Sequence, residues 1–164
     1  MTSTYLQLSR RPVVPIAQRL IRIEPFIIPS IGTAAAYATD DAMGLMFRFT
    51  APCQGIIREI AFHDFDNEGI DKEVWLFRSA PTLAADNAAF SILDVDCKQV
   101  IAVFAVTTWR AAVNNQVGFS SNTPAAYDLL GGTTIYGGVK TKGADNIAAG
   151  SEPYLSFVIE NWTN

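Results

Sequence analysis

The feature that most constrains the fold of this chain is a series of short stretches in which apolar and polar residues alternate. Side chains along a β-strand point to opposite faces in turn, so a period of two is typical of a strand with one buried face. Clusters of Gly, Pro, Asn and Asp separate the stretches. We therefore predict an all-β fold, a sandwich or barrel. The predicted strands are residues 45–50, 56–63, 73–78, 100–106, 117–119, 133–140 and 154–160.

The same patterns predict which side chains share a face and where a helix fits. Leu45, Phe47 and Phe49 have one parity and are expected to face the core together. Residues 81–92 are rich in alanine and predict the one short helix of the fold. Asp94 and Asp96 flank Val95 and are expected on one face of a strand, as solvated acids at its end.

The N-terminal region differs from the rest of the chain in charge and in proline content. The first 22 residues contain four arginines and no acidic residue, whereas the other 142 hold all 16 acids. Because proline cannot donate to a β-ladder and breaks helices, an extended segment with short edge-strand pieces is expected. We predict an extended arm over residues 1–30 and one β-sandwich domain over residues 31–164. The residues concerned are Arg10, Arg11, Arg19 and Arg22, interspersed with Pro12, Pro15, Pro25 and Pro29.

This charge separation indicates a protein partner. The acidic remainder of the chain would repel the phosphates that the arginines attract, so direct nucleic-acid binding is not predicted. No run of about 18 apolar residues is present, so no membrane span is predicted, and Arg19, Arg22 and Glu24 interrupt any secretory signal. Arginine suits carboxylates and proline reduces the entropy lost on ordering. We predict partner binding by Arg10, Arg11, Pro12, Pro15, Arg19 and Arg22.

The segment from Asp64 to Asp71 is the best candidate for a metal site. It begins like a calcium loop, with Asp64, Asp66 and Glu68 as oxygen donors and Gly69 for a sharp turn. The position that should hold a bidentate glutamate is Trp75, and the flanking residues predict strands. A polar hairpin connection is therefore favoured over a weak ion site, and neither a metal nor a cofactor is predicted.

No catalytic constellation is recognisable in the sequence. His63 is the single histidine, and no Gly-x-Ser-x-Gly or cysteine signature supplies a nucleophile for it. Cys53 and Cys97 match no zinc or redox spacing and are expected to be free and buried in a reducing cytoplasm, with a disulfide as the alternative. We therefore predict that the protein is not an enzyme.

Three aromatic residues are candidates for contact with another molecule. Trp109, Tyr127 and Trp162 are predicted to contribute to an oligomer interface or to a surface on which a sugar stacks. A core or interface role is favoured, because an all-β domain of this size needs large apolar side chains.

From residue 36 to about residue 160, the chain resembles the capsid decoration (cement) proteins of tailed bacteriophages, which are encoded beside the major capsid protein. The matching segments occur in the same order as in that family. They are Ala36-Tyr37-Ala38, Gly55-Ile56-Ile57, Val74-Trp75-Leu76-Phe77, Pro81-Thr82, Asp86-Asn87-Ala88-Ala89-Phe90, Asp94-Val95-Asp96, Val100-Ile101-Ala102-Val103 and Thr133-Thr134-Ile135-Tyr136-Gly137.

The resemblance implies a jelly-roll-like β-sandwich that binds the outer capsid surface at three-fold or quasi-three-fold positions. It implies two partners, the major capsid protein and the chain itself as a homotrimer, and a location on the virion after synthesis in the bacterial cytoplasm. The proline-rich arm is an addition relative to the family. The alternative is a carbohydrate-binding or structural module of the phage tail or neck.

Overall fold

The computed structural model describes residues 19–120 and 124–162 and shows nine strands and one short helix. The prediction of an all-β fold with at most one short helix is confirmed. All seven predicted strands are present, several with longer bounds. The elements are β1 (Arg19–Ile27), β2 (Ala42–Thr50), β3 (Gln54–Asp64), β4 (Lys72–Phe77), α1 (Asp94–Cys97), β5 (Val100–Ala111), β6 (Gln116–Ser120), β7 (Ala125–Asp128), β8 (Thr134–Thr141) and β9 (Tyr154–Asn161).

The strands form one antiparallel sheet that curls over itself. Its order is β1-β9-β3-β6-β5-β4-β8-β2, and β7 pairs with β3 beside β6. The two end strands approach each other: the Leu45 amide of β2 donates to the carbonyl of Pro29, just after β1, at 2.7 Å. Phe26 of β1 and Phe47 of β2 also have ring centroids 5.5 Å apart. The curled sheet therefore encloses a single core between its two halves.

Phenylalanine rings from three strands fill one end of this core. Phe49 and Phe157 stack with ring centroids 4.5 Å apart, and Phe26 and Phe47 pack around them. Gly137 on β8 faces Phe47, whose ring atoms occupy the space that a Cβ would need. A larger side chain at Gly137 would push the ring away, so this glycine is a packing residue.

Irregularities in pairing change which side chains are buried. Phe47 and Phe49 are buried as predicted, but Leu45 is 44% exposed. The pairing of β2 with β8 shifts between Met43 and Phe47, and Gly44 has φ +70°. This shift moves Leu45 to the outer face, which simple alternation does not anticipate.

The predicted helix over residues 81–92 is wrong in position. This segment is irregular, because the Asp86 carboxylate accepts hydrogen bonds from the amides of Gly32 and Gly44 and from the Tyr37 hydroxyl. The strand predicted around Asp94 and Asp96 is also wrong, since these residues lie in α1. Asp96 there accepts a hydrogen bond from the Thr82 amide at 2.9 Å, which a strand would not allow.

The two cysteines are free, as favoured, but they are not both buried. Cys53 is partly buried, and its Sγ accepts a hydrogen bond from the Gly131 amide at 3.2 Å. Cys97 is exposed because it ends the short helix α1 on the surface. The prediction of two buried thiols is therefore wrong for Cys97.

Candidate interaction surface

The predicted partner-binding residues fall into two groups. Arg10, Arg11, Pro12 and Pro15 lie outside the described residues, so their role stays a prediction. Arg19 and Arg22 lie in β1 and are exposed. Within residues 19–120 and 124–162, β1 pairs only with β9 and is an end strand of the sheet. Residues 19–27 are thus extended, as expected, and they are hydrogen-bonded to the sheet. The division of the chain into an arm and a domain at residue 30 stays a prediction.

A shallow pocket of about 490 Å³ lies on the outer face of β1, β9 and β3. We call this region the β1–β9–β3 face. It is lined by Leu20, Arg58, Glu59, Val158 and Glu160. Leu20 is 67% exposed, which is unusual for leucine in a strand. The face therefore combines an exposed apolar side chain with charged groups of both signs.

Glu160 organises this face by holding two neighbours. Its Oε2 accepts hydrogen bonds from both Nε (2.6 Å) and Nη2 of Arg58, and its Oε1 accepts one from Trp162 Nε1 at 3.2 Å. The Arg58 guanidinium holds the pKa of the Glu160 carboxyl below its usual value. Glu160 is 4% exposed, so Arg58 and Trp162 are anchored by a buried carboxylate.

A second pocket of about 340 Å³ lies at the adjoining end of the sheet and contains two of the three predicted aromatic contacts. Trp162 is 41% exposed and Tyr127 is buried, with Gln54, Ala126 and Asp128 completing the lining. Among the described residues, the Tyr127 hydroxyl has no hydrogen-bond partner, and burial raises its pKa. We call this the Trp162 pocket.

The third aromatic residue, Trp109, lies elsewhere. Trp109 is level with Phe62 of β3, whereas Tyr127 pairs with Gly55 of the same strand. Phe62 and Gly55 are seven residues apart, which is roughly 23 Å along a strand. The Trp109 indole Nε1 donates to Asp71 at 3.2 Å, and its ring packs edge-on against Phe62. Trp109 therefore does not line the pocket that contains Tyr127 and Trp162, and a contact role for each of the three stays a prediction.

The acidic loop between β3 and β4 is built by its own carboxylates. Asp64 accepts hydrogen bonds from the backbone amides of residues 66–69 and from the Gln116 side chain. Asp66 accepts from the Ala148 amide and Glu68 from the Asn146 amide. In the part of the chain that the structure describes, no group of three or more His, Cys, Asp and Glu side chains is arranged to hold a metal. The loop is also not a hairpin, because β6 and β5 lie between the strands that it connects.

Sequence reasoning missed a buried charged cluster beneath this loop. Lys72 Nζ lies 2.7 Å from Asp145 Oδ2, and these side chains are 2% and 8% exposed. The Glu68 side chain lies beside Asp145. Burial is the main cause of the raised pKa of the Glu68 carboxyl, and a hydrogen bond with Asp145 is a further cause. We call Lys72 and Asp145 the buried cluster, with the exposed Glu68 above it. The signal in the sequence that could have revealed this cluster was Lys72, a lysine at a strand position that faces the core.

His63 lies at the end of β3 and makes a cross-strand contact. Its Nε2 is 3.2 Å from Ser156 Oγ, and burial lowers the pKa of the imidazole. Ser156 is 8% exposed, so its hydroxyl is not presented to a substrate. The arrangement is that of a packed polar pair between strands.

Among the described residues, no helix is long and apolar enough to cross a membrane. A comparison with protein-family models found no match, and searches of curated proteins and of solved structures found none either.

Proposed function

We propose that this chain is a non-enzymatic structural protein of a tailed-bacteriophage virion that decorates the outer capsid and stabilises contacts between capsomers. The proposal includes binding at three-fold or quasi-three-fold positions as a homotrimer. Its partners are then the major capsid protein and further copies of the chain. The resemblance over residues 36–160 supports it, and so does the character of the strand β1.

The observation that carries the proposal is the edge formed by β1. Seven residue pairs join β1 to β9, and no other described strand pairs with it. The outward N–H and C=O groups of an end strand are a template for a strand of another chain. In symmetric assemblies, this added pairing is repeated in every copy, so a modest contact gives high avidity.

The net charge of β1 favours an acidic partner surface, because two arginines, Arg19 and Arg22, and one acid, Glu24, are exposed. Leu20, between the arginines in the chain, lines the β1–β9–β3 face. Arginine forms bidentate pairs with carboxylates, while an exposed leucine adds apolar area to the contact. This combination suits carboxylates on the capsid protein or on an adjacent copy of the chain.

The experiment is co-sedimentation with shells assembled from the capsid protein encoded beside this chain. We expect the Arg19→Glu/Arg22→Glu variant to bind with at least tenfold lower affinity than the wild type. The matched control is Lys98→Glu/Arg110→Glu, which makes the same charge change at exposed positions away from β1. Deletion of residues 1–18 tests the remaining arginines and leaves β1 in place. Binding of Arg19→Glu/Arg22→Glu and of the deletion variant as tightly as the control variant would sink the proposal.

Sugar binding at the tail or neck is the second candidate, because the Trp162 pocket combines an exposed indole with the polar groups of Gln54 and Asp128. Sugar rings stack on such indoles while polar side chains bind the hydroxyls. A glycan array probed with the wild type and with Trp162→Ala tests this. Glycan binding that Trp162→Ala abolishes would favour it, and immunogold labelling of virions separates head from tail.

A further inference from the structure

Lys72 and Asp145 are held side by side at a fixed position in the interior. Lys72 is the first residue of β4, and its backbone pairs with Val106 of β5 and Thr141 of β8. Asp145 is fixed by two backbone hydrogen bonds with Tyr37, of 2.8 and 3.3 Å. Backbone hydrogen bonds therefore hold both partners, Lys72 in the strand β4 and Asp145 in a bridge to Tyr37, so their 2.7 Å contact is preorganised.

Burial of Lys72 favours the uncharged amine, since the side chain is 2% exposed. Its neighbours act in the opposite direction: the Phe62 and Trp109 ring centres lie 5.5 and 5.8 Å from Nζ and attract a cation, and Nζ donates to the Ile70 carbonyl at 2.6 Å. Burial lowers the pKa of the Lys72 amine, although the Asp145 carboxylate acts in the opposite direction. A lysine with a lowered pKa is a nucleophile, because its nitrogen lone pair is free for a larger fraction of the time.

Glu68 supplies the third group that a condensation needs. Burial and the hydrogen bond with Asp145 raise the pKa of the Glu68 carboxyl, so it holds a proton more readily than an ordinary glutamate. Its Oε2 also accepts a hydrogen bond from the Asn146 amide at 2.8 Å, which keeps the side chain beside Asp145. A carboxyl group in this place can take up one proton and deliver another.

We propose that Lys72 and Asp145 form an intramolecular isopeptide bond, with Glu68 as the proton carrier. One proton passes from the Lys72 ammonium to the Asp145 carboxylate across their 2.7 Å contact, and the amine then attacks Cγ, so that the new N–C bond forms. Glu68 takes a proton from the nitrogen and passes it to the departing hydroxyl, so one C–O bond breaks and one water leaves. The step needs no oxidant, reductant or further reactant. Because Oδ2 lies 2.7 Å from Nζ and is bonded to Cγ over roughly 1.2 Å, the nitrogen is at most about 4 Å from the carbon that it attacks.

The chain contains an internal comparison for this chemistry. Lys142 Nζ lies 2.6 Å from Asp40 Oδ1, as close as the buried pair, but these side chains are 34% and 53% exposed. Water there stabilises the ammonium and carboxylate ions, and Lys142 has a raised pKa through its hydrogen bond with Asp40. We expect this pair to remain an ordinary ion pair.

Mass spectrometry of the folded full-length chain tests the proposal. We expect an intact mass lower than the sequence mass by one water. After trypsin digestion, residues 59–78, with Lys72 uncleaved, should be linked to residues 143–164. An intact mass equal to the sequence mass, both fresh and after incubation of the folded protein, would overturn the proposal.

Two variants separate the isopeptide bond from other losses of water. Lys72→Arg keeps the charge but removes the primary amine, so the full sequence mass should return, whereas Lys142→Arg should keep the deficit. A deficit that persists in Lys72→Arg would contradict the link. Glu68→Gln alters an exposed residue and should slow formation at least tenfold in freshly purified protein. Formation at the wild-type rate in this variant would overturn the role of Glu68.

Discussion

Two lysine–carboxylate regions lie on opposite faces of the same pair of strands. The buried cluster contains Lys72 on β4. The exposed cluster consists of Lys140, Lys142, Asp40 and Glu73, with N–O distances of 2.6–3.6 Å. Lys72 and Glu73 are consecutive in β4, and strand geometry sends them to opposite faces. One residue of displacement therefore decides whether a charge is in the core or in water.

The comparison teaches that the N–O distance of an ion pair does not determine its contribution to stability. Both clusters contain contacts shorter than 3 Å, yet only the buried pair is almost fully removed from solvent. Water screens the exposed charges and competes for their hydrogen bonds. Burial makes each buried charge dependent on its partner, because an unpaired charge there has no solvent to stabilise it.

The largest effect should come from breaking the buried pair. Lys72→Met leaves Asp145 buried without its cation, and we expect a loss of about 3–5 kcal/mol in the free energy of unfolding. Denaturant titration measures this loss, and loss of the proposed covalent link would add to it. A variant as stable as the wild type would show that the buried charges do not depend on each other.

The second effect concerns the loop that places Glu68 above the buried cluster. Asp64→Ala removes the acceptor of four backbone amides and of the Gln116 amide. We expect a loss of about 1–3 kcal/mol, because donors that lie partly buried lose their partner. The measurement is denaturant unfolding. The control is Asp66→Ala, because the Asp66 carboxylate accepts a single hydrogen bond from a backbone amide, that of Ala148. Equal effects of the two variants would contradict a special role of Asp64.

A half-buried group should give an intermediate, pH-dependent effect. The pKa of His63 in the folded chain is below its unfolded value of about 6.5, so the unfolded state binds more protons between the two values. The stability that His63 contributes is then present above pH 6.5 and is lost as the pH falls through the folded pKa. Unfolding of His63→Gln, compared with the wild type across this range, should show a weaker decline. Identical pH profiles would contradict this prediction.

The smallest effect should come from the exposed cluster. Lys142→Met removes an ion pair with Asp40, but both side chains are hydrated and the position is open. We expect no measurable change in the unfolding midpoint, even at low ionic strength, because Lys140 also contacts Asp40. A loss comparable to that of Lys72→Met would remove the distinction between the two regions.

Local alternation predicted the strands of this chain but not their irregularities. Val74 and Leu76 follow the period of two and are fully buried. Leu45 does not, because a shift in pairing depends on the partner strand β8, which is about 90 residues distant in the sequence. β7 was missed because four residues are too few to show a period. The helix assigned to residues 81–92 failed because tertiary hydrogen bonds to Asp86 outweighed alanine's helix propensity.

The sites were less predictable than the fold. Arg19 and Arg22 were singled out by charge alone, and they lie exposed on an end strand. Asp64, Asp66 and Glu68 were weak candidates for an ion site beside the favoured polar connection, and in the structure their oxygens accept backbone hydrogen bonds. The contact of Lys72 with Asp145 joins residues far apart in the chain, and no local pattern contains that pairing.

The pairing of β1 with β9 has a consequence for how the chain folds during synthesis. Arg19 is opposite Asn161, so the first described strand finds its neighbour only after residues 20–161 have been synthesised. Most other strand contacts also join distant residues, which is typical of slow folding. Until β9 is synthesised, β1 is an unpaired strand that is open to association with other chains, so folding that follows promptly on the synthesis of β9 limits aggregation.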